Sequence, residues 1–167
     1  MATYPDESVV KDGVVFGPND NDYEGTMPPS GGVSRSATLA KETGANARGG
    51  IGTCAKLSPT SDSTWGYWWF YLPTEGQIPI RLSFWHKVSA GFTGQLKVTI
   101  FDTDDVDRTD KLLDAEVVTL YDDATYHQHL CANITPMQTG LCLVRIEVID
   151  GSGAGTGDIF IDDFGLA

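Results

Sequence analysis

The chain has 167 residues, a hydrophobic content of 41% and a formal net charge of −12. That length suits one domain with an appendage, and that apolar share is enough for a core. The negative balance excludes nucleic acid and anionic membrane surfaces as expected partners, and no run of about 18 apolar residues is present to cross a bilayer.

Residues 1–32 stand apart in composition. They carry Pro5, Pro18, Pro28 and Pro29, five glycines, and one lysine against six acidic residues. Val9 to Phe16 reads as extended, split by Asp12-Gly13, a dipeptide that favours a tight turn. Residues 23–27 read as a second short extended piece. This segment is too small to bury a core of its own, so it is expected to be an arm packed on something else. An extra edge strand or an unstructured leader is the plainer alternative. The beginning of the chain has neither the basic stretch nor the apolar stretch of a secretory signal, so the expected site of synthesis is the cytoplasm without export.

From residue 33 onward, short strands follow one another at 8–15-residue spacing with no convincing helix. They are predicted over 33–39, 51–57, 64–72, 80–88, 95–101, 113–120, 125–134, 141–149 and 158–164. Several alternate apolar and polar residues with period two, the pattern of a strand with one face in a core. The strongest stretch is TWGYWWFYLPTEGQIPIRLSFWHKV, which holds all four tryptophans. Its first strand is apolar on both faces, with Tyr67, Trp69 and Tyr71 against Trp68, Phe70 and Leu72. Its second places Ile80, Leu82, Phe84, His86 and Val88 on one side. Strands of this kind predict an all-β, two-sheet antiparallel sandwich over 33–167, with 1–32 as an extended arm. Cys54, Cys131 and Cys142 are odd in number and sit in apolar surroundings, so they are expected to be free buried thiols.

Four groups of residues are candidate sites. Trp65, Trp68 and Trp85, with Tyr67 and Tyr71, offer flat rings on which a glycan could stack, the alternative being burial in the core and between subunits. Asp102 and Asp104 lie in an acidic loop, and Asp162 and Asp163 in the closing strand. Clustered carboxylates suit Ca²⁺, which takes six to eight oxygens. The loop spacing does not fit an EF-hand, and a solvated acidic loop is the alternative. In the strand, one of Asp162 and Asp163 is expected to face inward or toward a loop and the other to face water, because neighbours alternate. His127 and His129 share one strand face, and His86 would be a third ligand of a metal site; ordinary strand histidines are the favoured alternative. The Glu that a cupin places after such a His-x-His is absent from residues 132–134. No catalytic triad and no phosphate-cradling glycine loop is visible, so no catalytic residue is assigned.

Residues 33–167 resemble the jelly-roll sandwiches of the carbohydrate-binding-module, or galactose-binding-like, type. The resemblance rests on the strands IRLSFWHKV and GQLKVTIFD and on the closing GDIFIDDFGLA, and it implies a fold rather than a ligand. A structural Ca²⁺ beside the last-strand aspartates is what it would imply as a cofactor. The arm resembles a segment of tailed-bacteriophage virion proteins, Val-x-x-Gly-Val-x-Tyr/Phe-Gly followed by Tyr-x-Gly-Thr. Val10, Gly13, Val14, Phe16, Gly17, Tyr23, Gly25 and Thr26 fit it. Together the two resemblances imply a non-enzymatic capsid decoration protein located in the virion. Val10, Val14, Phe16 and Tyr23 would anchor the arm on the major capsid protein or other virion proteins. Self-association and host glycans are further expected partners. The alternative is a non-catalytic carbohydrate-binding module.

Overall fold

The computed structural model describes residues 14–15, 31–34, 36–50, 52–103, 110–150 and 157–166. These form an all-β, two-sheet antiparallel jelly-roll sandwich. The strands are β1 (Val14–Val15), β2 (Gly31–Val33), β3 (Ala37–Thr43), β4 (Thr53–Pro59), β5 (Gly66–Thr74) and β6 (Leu82–Val88). They continue with β7 (Gln95–Phe101), β8 (Leu112–Val118), β9 (His127–Leu130), β10 (Gly140–Ile149) and β11 (Ile159–Leu166). The first sheet runs β3-β4-β11-β6-β9, with β1 also on β11, and the second runs β2-β5-β10-β7-β8.

Period-two alternation decides which residues meet between the sheets. In β6, Leu82, Phe84, His86 and Val88 are buried, while Ser83, Trp85 and Lys87 are half-buried on the other face. In β5, Trp68, Phe70 and Leu72 point inward and Tyr67, Trp69 and Tyr71 point outward. Val98 and Ile100 of β7, Val144 and Ile146 of β10, and Ile159 and Ile161 of β11 complete the core. Trp68 meets Phe164 edge-on at 5.3 Å, and Phe84 lies 5.6 Å from the same Phe164, so aromatic rings span both sheets. All three cysteines are free and buried.

The aromatic stretch is arranged in a way its sequence did not specify. Its two strands are consecutive in the chain yet lie in opposite sheets, β5 between β2 and β10, and β6 between β11 and β9. Residues 75–81 arch across the end of the sandwich. Gln77, in the left-handed region at φ 65, turns this arch, and its backbone N–H donates to Pro136 O at 2.8 Å. Gly66 opens β5 because a side chain does not fit there. A Cβ would lie 2.2 Å from Ser36 O.

The closing strand changes partner along one edge. Ile159 to Ile161 pair with β4, whereas Gly165 and Leu166 pair with Val15 and Val14 of β1. Between them the register against β6 shifts at Asp162/Gly165, and Asp163 sits at φ 47. A bulge of this kind bends the strand and frees a stretch of edge. Of the four arm anchors, Val14 therefore pairs through its backbone with its own chain's β11, and Val10, Phe16 and Tyr23 lie outside the described residues. The expected turn at Asp12-Gly13 and extended piece 23–27 lie outside them as well. Among the described residues no helix is long and apolar enough to cross a membrane.

Two substitutions test this packing. Trp68 is 2% exposed, so Trp68→Ala should cost about 3–5 kcal/mol in urea denaturation; a cost near zero would place the ring outside the core. His86 is the buried imidazole of the core, 2% exposed, with Nδ1 lacking a hydrogen-bond partner. Burial, helped by repulsion from His129 and His127, pushes it down to about 4. The unfolded chain takes up this proton near the ordinary histidine value, and the folded chain takes it up only near pH 4. Stability from this group is complete above the unfolded value and is lost as pH falls toward 4. Between neutral pH and pH 4, wild type should lose up to about 3 kcal/mol more than His86→Phe, read from denaturation at both pH values.

Candidate functional site

The outward face of the second sheet concentrates rings and charges. Tyr67, Trp69 and Tyr71 occupy alternate positions of β5, and Trp65 precedes them; all four are half-buried. Trp69 and Tyr71 meet edge to face at 5.6 Å. In the adjacent ladder Gly32 of β2 stands opposite Trp69. Glycine is needed there, since a Cβ would come within 2.9 Å of the indole. The indole thus lies flat over the β2 backbone.

Beside this column the register brings Leu143, Arg145 and Glu147 of β10 opposite Tyr71, Trp69 and Tyr67. On the far side of β10, Phe101, Thr99 and Lys97 of β7 fall opposite the same three residues. Glu147 is almost fully buried, and its carboxylate accepts from Thr99 Oγ1 at 2.8 Å and pairs with Lys97 Nζ at 2.6 Å. A buried carboxylate is tolerable only when paired in this way. The Arg145 guanidinium carbon sits 4.7 Å from the Tyr67 ring centre and 5.0 Å from that of Phe101. Lys97 Nζ lies 4.7 Å from the Trp65 ring centre. Cations against ring faces hold those rings in place. The result is a row of fixed, partly accessible aromatic faces, with Lys97 half-buried beside them and Arg145, Glu147 and Thr99 buried beneath.

The three tryptophans expected to act together are separated. Trp65 joins the face just described. Trp68 does not; it faces the core, because its position in β5 has the opposite parity. Trp85 lies on the outer face of the other sheet, where the Arg48 guanidinium stacks 4.6 Å from its ring centre. Tyr67 and Tyr71 fall where a platform needs them. Trp69, Lys97, Arg145 and Glu147 were missed, although the parity that set Tyr67, Trp69 and Tyr71 on one side was visible in the sequence.

Asp162 and Asp163 do not face opposite ways. The bulge in β11 turns both toward Arg48: the Arg48 N–H donates to Asp162 Oδ2 at 2.8 Å, and the guanidinium binds Asp163. Burial pushes Asp162 up to about 6. Arg48 thus engages both carboxylates, Asp162 through its backbone N–H and Asp163 through its guanidinium. Asp102 Oδ2 accepts the Met137 N–H at 2.8 Å and so secures the loop before β10; Asp104 lies outside the described residues. The three histidines do not converge. His127 Nε2 is 2.8 Å from Asp123 Oδ2 with its ring stacked on Tyr121, while His129 faces Glu116.

No protein-family model matches the chain, and no curated protein matches it. Solved structures do. The chain is similar to TmCBM61 in complex with β-1,4-galactotriose, at 17% identity and TM-score 0.60, covering 89% of this chain and 95% of that one. It is similar to the CBM22-1 xylan-binding domain of Paenibacillus barcinonensis Xyn10C, at 15% identity and TM-score 0.60, covering 87% and 90%. A third likeness is to the enzymatically active domain of tailspike protein 4 of bacteriophage CBA120, at 13% identity and TM-score 0.58, covering 83% of this chain but 18% of that one. At these identities the likeness concerns the fold.

Proposed function

We propose that this sandwich is a non-catalytic glycan-binding module whose sugar site is the outer face of the second sheet. One observation carries the reading: Trp65, Tyr67, Trp69 and Tyr71 present their rings along one strand face, next to Arg145, Glu147, Lys97 and Thr99. Sugars offer apolar C–H faces that stack on aromatic rings and hydroxyls that pair with charged groups. Rings already held by cations and by Gly32 lose little freedom on binding. The likeness in fold to modules that bind galactotriose and xylan supports the same conclusion.

The likeness to a phage tailspike domain favours a second, compatible reading. In it, the module belongs to a phage particle, meets capsid or other virion proteins through residues 1–32, and turns its aromatic face toward host glycans.

Galactan and xylan oligosaccharides are the first probes. In isothermal titration, Trp69→Ala should weaken binding by at least about tenfold, roughly 1.4 kcal/mol, while the variant stays folded. Trp85→Ala, on the other sheet, should bind as wild type does. Equal losses from both variants, or binding that survives Trp69→Ala, would move the site elsewhere.

A further inference from the structure

The sandwich has an open side where β8, at the edge of the second sheet, faces β9, at the edge of the first. Both edges turn polar residues inward there. On β8, Asp114 and Glu116 stand opposite Ile100 and Val98 in the ladder and so share their inward face. On β9, His129 stands opposite the buried Phe84, and Cys131, two residues further, is fully buried. One ligand atom each from Glu116, His129 and Cys131 lie within 4.8 Å of one another.

The details point to a missing occupant. Among the described residues, the buried His129 Nε2 has no hydrogen-bond partner, although Glu116 Oε2 is 3.5 Å away. Glu116 Oε1 accepts the Ala132 N–H at 2.5 Å, which fixes the carboxylate with its second oxygen toward the imidazole. Asp114 lies two positions before Glu116 on the same face of β8. An orphaned imidazole nitrogen, a held carboxylate and a buried thiol are a mixed nitrogen, oxygen and sulfur donor set. Such a set suits a four-coordinate ion at about 2.0–2.3 Å and not a hard cation that takes six or more oxygens.

We propose that Glu116, His129 and Cys131 bind a divalent metal ion of the zinc class. The ion ties the free edge of one sheet to the free edge of the other. Its role is to staple the fold, and it lies on the inward side of the sheets, apart from the aromatic outer face. Metal binding forms a metal–sulfur bond and releases the thiol proton to solvent.

The test is titration of the full chain, freed of metal by a chelator, with Co²⁺ at mildly alkaline pH. One equivalent should produce the near-ultraviolet thiolate-to-cobalt band, Zn²⁺ should displace it, and Zn²⁺ should raise Tm where Ca²⁺ and Mg²⁺ do not. Cys131→Ala should abolish the band. If Cys131→Ala fails to fold, Glu116→Gln gives the same decision through a loss of at least about tenfold in affinity. A folded wild type that shows no band, a band that persists in Cys131→Ala, or unchanged affinity in Glu116→Gln would overturn the proposal.

Discussion

The aromatic contact between the two sheets is the constraint on which the rest depends. Trp68 and Phe70 of one sheet close on Phe164, which also packs on Phe84 of the other. Rings of this size dominate the apolar area that a small sandwich buries. Once they lock, the register of β5 is fixed, and a one-residue slip would exchange its two aromatic faces. The accessible row of Tyr67, Trp69 and Tyr71 is thus a by-product of where Trp68 and Phe70 must sit. Core and candidate binding face are two readouts of one alternation.

That coupling explains what was legible in the sequence. Parity identified the inward faces of β6, β7 and β10, and it gave β7 its bounds, because an apolar residue at every second place has no other stable home. It did not identify neighbours. β5 and β6 follow each other through a short connection, yet the arch at Gln77 sends them to different sheets. Hairpin and arch differ by a few backbone angles in the loop, which side-chain patterning does not record. Trp68 was grouped with Trp65 and Trp85 on residue type alone; its place between Tyr67 and Trp69 already argued against that.

Two local features escaped for a different reason. Asp162 and Asp163 were read by strand alternation, and the bulge in β11 suspends alternation where they sit. Glu116 and Cys131 were invisible as partners because they belong to different sheets and meet only across the open side of the sandwich. The usable signal was the run His127-Gln128-His129-Leu130-Cys131, which puts three metal-type ligands at every second position. The cupin pattern asked for a Glu at 132–134 on the same segment, whereas Glu116 lies on a strand of the other sheet.

The edge change along β11 has a mechanical consequence. β1 holds to β11 through two residue pairs, whereas β3 and β4 share seven. Among the described residues, tension on Val14 would load that two-pair ladder before the seven-pair one. Val14 and Val15 would part from β11 first, with the longer ladders intact.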